Sequence, residues 1–173
     1  MPKAKANGAE IYYEATGSGA PLVFLHEFGG DHRSWSDQVR HFSRAYRCVT
    51  ISARGYPPSD VPADDDAYGQ DIANRDVVAV LDAAGIGRAH VVGLSMGAYT
   101  ALQLALHFPG RVNAVIAAGA GSGALKATRA GFIAEALATV RMFGRYARGI
   151  RGFLKQPFSE EDCRRIVAQQ KAC

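Results

Sequence analysis

Gly93-Leu94-Ser95-Met96-Gly97 lies between an apolar run with strand character, Ala89 to Val92, and an apolar run with helix character, Ala98 to His107. The pattern G-x-S-x-G at such a junction predicts a sharp strand-to-helix turn with the serine at its tip. The two glycines are needed because side chains at their positions would collide where the strand folds tightly into the helix. The hydroxyl of Ser95 is therefore expected to be available as a nucleophile.

A serine nucleophile requires a base, which is usually a histidine. The chain has five histidines, of which the last is His107, whereas the base that reaches such a turn ordinarily comes later in a chain. A second interpretation of Ser95 is that it serves only as the N-cap of the following helix. The sequence thus predicts a nucleophile without its usual partners.

The flanking sequence predicts alternating strands and helices. Asn7-Gly8 indicates a tight hairpin that joins a short arm at Lys3–Ala6 to a strand at Ala9–Glu14. Further strands are predicted from short apolar runs, and helices from apolar residues at spacings of three and four. The predicted strands are Pro21–His26, Arg47–Ser52, Ala89–Val92 and Val112–Ala118, and the predicted helices are Trp35–Phe42, Tyr68–Ala84 and Ala98–Phe108. This alternation is typical of a mainly parallel sheet with helices on both faces.

Three motifs occur in register with these strands: His26-Glu27-Phe28-Gly29-Gly30, the loop Ala53 to Asp60, and the turn Gly93 to Gly97. In this order they resemble the α/β-hydrolase fold superfamily, in its serine-nucleophile branch, over roughly residues 1–125. The resemblance implies an α/β fold with a mainly parallel, doubly wound sheet that ends after about the sixth strand and is followed by helical cap segments. We expect residues 1–123 to form the N-terminal part of the core and residues 124–173 a partial helical cap.

The resemblance also implies roles for individual residues. Ser95 is the nucleophile, and the backbone N–H groups of Phe28 and Met96 form the oxyanion hole. His26 supports the oxyanion loop, and Gly93 and Gly97 permit the turn. No metal or cofactor is implied.

Glu27 departs from the family pattern, because many members have glycine after the histidine. Its carboxylate is expected either to turn away and pair with an arginine, for which Arg54 is a candidate, or to line the pocket and disfavour acidic substrates. His32, His41, His90 and His107 are interpreted as surface or helix-end residues without metal-site spacing.

Serine at the elbow favours acyl chemistry on esters, lactones or related substrates, since the dehalogenase and epoxide-hydrolase branches use a carboxylate nucleophile. The acid and histidine that complete the family's site normally follow the seventh and eighth strands, which the sequence does not show. The alternative is a catalytically inactive truncated hydrolase or an interaction protein, with self-association through the edge at Ala114–Ala117. A less favoured alternative is dinucleotide binding at Gly119–Ala124, which fits G-x-G-x-x-[GA].

The net charge of +4 is unevenly distributed. Residues 126–173 carry ten Lys or Arg against four Asp or Glu, and Arg129–Lys155 reads as a basic amphipathic helix. We interpret it as a lid over the pocket rather than a membrane or nucleic-acid binding element. Three cysteines without metal spacing, and a start without a secretory signal, predict a cytoplasmic protein. The resemblance implies that its partner is a small-molecule acyl substrate.

Overall fold

The computed structural model describes residues 2–120. The predicted cap at residues 124–173 and most of the proposed dinucleotide loop lie outside the described residues. Within them, the predicted order of strands and helices is confirmed.

Six strands form one sheet: β1 (Lys3–Ala6), β2 (Ala9–Thr16), β3 (Ala20–Leu25), β4 (Tyr46–Ile51), β5 (Ala89–Leu94) and β6 (Val112–Ala118). Their order in space is β1-β2-β4-β3-β5-β6. The β1–β2 and β2–β4 pairings are antiparallel, while β4, β3, β5 and β6 are mutually parallel. The β3 and β5 strands are therefore neighbours, and Leu25 pairs with Gly93. This pairing brings the loops after both strands to the same edge of the sheet.

Helices cover both faces of the sheet, as predicted. The helices α2 (Gln70–Ala83) and α3 (Met96–His107) bury one face, where Val80 and Leu104 pack with Val23 and Val49 in the larger core. The short helix α1 (Ser36–Phe42) and the 3-10 turn before it cover part of the other face. On that side Trp35 packs with Leu22, Phe24 and Cys48. Burial raises the pKa of the Cys48 thiol, which fits its predicted role as a small core residue.

The hairpin at Asn7-Gly8 has the predicted conformation. Asn7 and Gly8 have φ values of +45° and +78°, which a type I′ turn requires at both central residues. The pairing Ala6 with Ala9 closes the turn. The local sequence therefore determines this connection.

A buried ion pair joins the hairpin to α2. The Arg54 guanidinium donates from Nε and Nη2 to the Asp76 carboxylate at 2.8 and 2.7 Å, and each side chain is only 5% exposed. Arg54 also donates to the carbonyls of Ala6 at 2.8 Å and Asn7 at 3.3 Å. Burial raises the pKa of Asp76, and the guanidinium beside it opposes that effect.

The strand β6 forms one edge of the described sheet. Among residues 2–120, no strand pairs with the free edge of β6, and Ile116 on this strand is 63% exposed. Self-association through this edge stays a prediction. Within the same range, no helix combines the length and apolarity needed to cross a membrane.

We expect Asp76→Ala to lower the free energy of unfolding by about 3–5 kcal/mol, because it leaves the Arg54 charge buried without its partner. Asp71→Ala is the matched control, since Asp71 pairs with Arg75 on the same helix but both side chains are about 60% exposed. Loss of that exposed pair should cost about 1 kcal/mol or less. Urea unfolding of both variants measures the difference, and equal losses would contradict the role given to the buried pair.

Candidate active site

Ser95 occupies the turn between β5 and α3 in an unusual backbone conformation. Its φ is +51° and its ψ is −108°, a combination that costs a non-glycine residue of order 1–3 kcal/mol. The Ser95 N–H donates to the Ala118 carbonyl at 2.9 Å, and the Ser95 carbonyl accepts from the Tyr99 N–H at 3.0 Å. The surrounding strand and helix thus hold the strained residue in place.

The side chain of Ser95 does not cap the helix. Although Ser95 stands at the N-cap position of α3, its hydroxyl makes no capping hydrogen bond to the backbone of that helix. The cap-only interpretation therefore has no support in the geometry. A strained serine whose hydroxyl is not used for capping is typical of a nucleophile elbow.

The two glycines of the elbow are required by close backbone contacts. A Cβ on Gly97 would lie 2.1 Å from the carbonyl oxygen of Leu25 and 2.8 Å from that of His26. A Cβ on Gly93 would lie 2.2 Å from the carbonyl oxygen of Gly97. The first turn of α3 consequently rests against the end of β3, next to the loop that contains Phe28.

The loop after β3 orients the N–H group of Phe28. This N–H belongs to the same peptide unit as the Glu27 carbonyl, which accepts hydrogen bonds from His26 Nδ1 at 2.7 Å and from the Gly30 N–H at 3.1 Å. Gly29 has a φ of +81°, as the third residue of a tight turn often does. Two hydrogen bonds to one carbonyl fix the peptide plane, so they also fix the direction of the Phe28 N–H.

His26 is held as a neutral ring. Nδ1 donates to the Glu27 carbonyl, and Nε2 accepts from the Ala53 N–H at 3.0 Å, which assigns the proton to Nδ1. The residue is only 2% exposed, and burial lowers the pKa of His26 below its ordinary value. Because both ring nitrogens are engaged with the backbone, His26 is suited to supporting the loop and not to serving as a base.

The predicted pairing of Glu27 with Arg54 is wrong. Arg54 is bound to Asp76, whereas Glu27 Oε1 accepts from Ser34 Oγ at 3.0 Å. Glu27 Oε2 is buried and has no hydrogen-bond partner among residues 2–120. The Glu27 carboxylate instead packs beside Gly30, where a Cβ would lie 2.4 Å from Oε1. Its effect on acidic substrates stays a prediction.

Tyr56 connects the three predicted motifs, a role that the sequence did not reveal. Its ring contacts the rings of His26 and Phe28 with centroid distances of 4.8 and 6.4 Å. Its hydroxyl lies 3.6 Å from the sulfur of Met96. Only the position of Tyr56 inside the motif Ala53 to Asp60 gave a signal for it.

The loop that carries Tyr56 is fastened to β2. Ser59 Oγ accepts from the Tyr12 N–H at 2.7 Å and donates to the Ser52 carbonyl at 2.6 Å. Asp60 Oδ2 accepts from the Glu10 N–H at 2.9 Å, which lowers the pKa of Asp60. The Ser and Asp of this motif therefore act as structural anchors for the site.

The remaining histidines do not reach Ser95 through any hydrogen bond among the described residues. His32, predicted to be a surface or helix-end residue, begins the 3-10 turn before α1, and its side chain is 10% exposed. Its Nδ1 lies 2.9 Å from Ser52 Oγ. His107 bonds to Gln103 at 2.9 Å within α3. In the part of the chain that the structure describes, no group of three possible ligands could hold a metal ion.

Comparison with known proteins places this geometry in context. A family model described as alpha/beta hydrolase fold matches residues 20–160. The chain is 36% identical over 115 residues to a 2-hydroxy-6-oxo-6-phenylhexa-2,4-dienoate hydrolase of Comamonas testosteroni, which covers 64% of this chain and 40% of that protein. It is 31% identical over 120 residues to epoxide hydrolase 3 of Mus musculus, which covers 68% of this chain and 33% of that protein.

A solved structure agrees with these matches. Est816, described as an N-acyl homoserine lactone degrading enzyme, has a TM-score of 0.65 and 39% identity, and the match covers 70% of this chain and 47% of that one. The chain thus spans less than half the length of these relatives.

We expect Gly97→Ala to lower the free energy of unfolding by about 2–3 kcal/mol, since the added Cβ would overlap the Leu25 carbonyl unless the backbone moved. Gly87→Ala is the control, because a Cβ on Gly87 meets nothing within 4 Å. Urea unfolding should show little change for the control. A Gly97→Ala variant as stable as the wild type would contradict the close approach of α3 to β3.

The stability of the protein should also depend on pH through His26. Burial lowers the pKa of His26 in the folded state, so the unfolded state takes up a proton on this ring at a higher pH than the folded state does. The stabilisation from a neutral His26 is therefore complete above about pH 6.5 and is lost progressively as the pH falls below it. We expect the free energy of unfolding to fall between pH 7.5 and 5.5, by at most about 1.4 kcal/mol per pH unit for one proton. His26→Gln should flatten this dependence, whereas His41→Gln, at an exposed position, should not. Equal slopes in denaturant titrations of all three proteins would exclude this role for His26.

Proposed function

Since the chain belongs to the alpha/beta hydrolase fold family, we propose that it is a serine hydrolase that cleaves ester, lactone or related acyl bonds with Ser95 as nucleophile. The observation that carries this proposal is the conformation of Ser95, which stands at φ +51° on the turn between β5 and α3 with no capping role for its hydroxyl. Strain of this kind persists where the surrounding structure maintains it, often for function. Gly93 and Gly97 permit the close backbone packing around Ser95.

The proposed reaction begins with attack of Ser95 Oγ on the substrate carbonyl carbon. The oxygen of that carbonyl becomes an oxyanion, which accepts hydrogen bonds from the N–H groups of Phe28 and Met96. The proton of Ser95 Oγ passes to the general base of the complete site, and collapse of the tetrahedral intermediate breaks the bond to the alcohol portion, which leaves with that proton. Water then attacks the acyl-enzyme, the acid is released, and a water proton returns to Ser95 Oγ. Removal of one oxyanion-hole donor typically costs about 3 kcal/mol of transition-state stabilisation.

Two features support the assignment of Phe28 and Met96 as donors. Met96 begins α3, so its N–H lies at the positive end of that helix. The Phe28 N–H has a fixed direction because the carbonyl of its peptide unit is held by His26 and Gly30. Donors that are oriented before the substrate binds need no reorganisation during the reaction, which makes them effective.

Serine at position 95 favours acyl substrates over epoxides. The relatives include an epoxide hydrolase as well as a dienoate hydrolase and a lactone-degrading enzyme. An epoxide-opening enzyme of this family uses a carboxylate at the elbow, whereas this chain has a hydroxyl. A serine nucleophile suits a carbonyl carbon because the attack creates an oxyanion that the two N–H groups can hold.

We propose that the described residues do not supply the general base for Ser95. His26 is occupied on both ring nitrogens, and the hydrogen bonds of His32 and His107 lead to Ser52 and Gln103. We therefore expect these 173 residues alone to show only a residual activity of about 10³-fold over water, of the kind that an oxyanion hole and binding provide. The inactive or interaction protein remains the alternative.

A fluorophosphonate probe tests the nucleophile directly. Because the described residues offer Ser95 no base, we expect labelling of Ser95 to be slow, to be identified by peptide mass spectrometry, and to be lost in Ser95→Ala. Ser52→Ala is the control, because Ser52 is fully buried and its change should leave labelling intact. A folded protein that is not labelled at Ser95 would overturn the proposal.

Turnover of a chromogenic ester tests whether this chain contains a base for Ser95. We expect no normal hydrolysis of p-nitrophenyl acetate or butyrate by this chain, because its described residues offer Ser95 no base. Robust turnover that disappears in Ser95→Ala would mean instead that the 173 residues contain their own base.

A further inference from the structure

A cavity of about 100 Å³ lies behind the elbow, on the side of the sheet that α2 and α3 cover. Its walls come from four parts of the fold, of which the loop after β4 contributes Arg54 and Tyr56. The sheet contributes Leu25 and Ile51, the start of α2 contributes Ile72 and Ala73, and the elbow contributes Met96. The cavity is partly open, and it is lined by Met96, the residue after Ser95, but not by Ser95 itself.

The polar side chains on the wall already have partners. Arg54 and Asp76 bind each other, and the hydroxyl of Thr100 donates to the Met96 carbonyl at 3.2 Å. His26 is engaged on both ring nitrogens, and Gln70 Nε2 donates to Asn74 Oδ1 at 3.1 Å. The surface presented to the cavity is mostly apolar, and the residues that form it include Tyr56 and Tyr68. Apolar cavities of roughly 150 Å³ remain dry and bind small hydrophobic molecules such as benzene or xenon.

We propose that this cavity is a binding site for a small uncharged apolar group, such as a short alkyl chain. An ordered water is disfavoured in the inner part of this partly open cavity, because such a water needs two to four polar partners and the polar side chains on the wall are already engaged. A charged group is disfavoured as well, because the Arg54 and Asp76 charges are directed at each other. The size of the cavity restricts the group to one smaller than most drug-like ligands.

Two kinds of ligand with the same apolar chemistry could occupy the cavity: part of an acyl substrate bound at Ser95, or a free hydrophobic molecule. Met96 carries the proposed oxyanion donor and also forms part of the wall, so the alkyl end of an acyl substrate at Ser95 could enter. This version deepens the proposed function and rests on it. A free hydrophobic molecule could bind independently of any reaction.

Xenon provides a test that does not require a reactive serine. In methyl NMR spectra of the full chain, we expect saturable shifts under xenon pressure for the methyl groups of Leu25, Ile72 and Met96. Ala73→Leu should fill the cavity and weaken xenon binding at least tenfold. Ala83→Leu is the matched control on the same helix, because Ala83 is exposed and does not line the cavity.

Two results would overturn the proposal: no saturable shift in the wild type, or equal binding in Ala73→Leu and the wild type. Should Ala73→Leu fail to fold, Ile72→Ala replaces it, since an enlarged cavity should then admit benzene with at least tenfold higher affinity than the wild type. Benzene affinity unchanged in Ile72→Ala would also overturn it.

Competition then separates the two sources. Butyramide, an uncharged mimic of a short acyl substrate, should displace xenon if the acyl chain enters the cavity, whereas acetamide should not. Xenon that persists with both amides supports a free apolar ligand. Ser95→Ala should keep its xenon site in either case, so failure of the serine chemistry would not be mistaken for failure of the cavity.

Discussion

The site depends on the close approach of α3 to the end of β3. At Gly97 the helix backbone comes so near to the Leu25 carbonyl that a single Cβ would lie 2.1 Å from that oxygen. This contact places the first turn of α3 beside the loop of Phe28, and it leaves Ser95 with a positive φ. The strain at Ser95 is sustained because the adjoining strand and helix both bond to its backbone. Packing energy from the two cores therefore maintains a conformation that Ser95 alone would not adopt.

A second constraint runs through the backbone around His26. The imidazole joins the Ala53 N–H to the Glu27 carbonyl and so links the loops that follow β4 and β3. The loop after β4 is itself anchored by Arg54, which binds Asp76 on α2 and two carbonyls of the first hairpin. Elements distant in the sequence thus fix the direction of one N–H group. The residues that stabilise these loops therefore also orient the N–H group that we propose as an oxyanion donor.

Much of this fold could be predicted from the sequence because its signals are local. The Asn7-Gly8 hairpin, the strand Val112–Ala118 and the order of strands and helices follow from turn chemistry and periodicity, and the structure confirms them. The pairing of Glu27 with Arg54 was wrong because charge partners depend on which elements become neighbours. Asp76, twenty-two positions from Arg54, becomes its partner only when α2 packs on the sheet. The hydrogen bond between His32 and Ser52 likewise forms only when their two segments become neighbours in the fold.

The sequence by itself determined the elbow, because glycines on both sides of Ser95 allow a strand to fold into a helix more tightly than side chains would permit. Through its resemblance to the family, the sequence also implied that the N–H groups of Phe28 and Met96 are oxyanion donors, which stays a prediction. Only the tertiary structure decided that His26 is neutral and hydrogen-bonded at both ring nitrogens. It also decided that Tyr56 contacts the two motifs to which it does not belong, and that a cavity adjoins Met96. The physical reason is that hydrogen-bond partners and empty volume arise between elements, whereas backbone turns are specified within them.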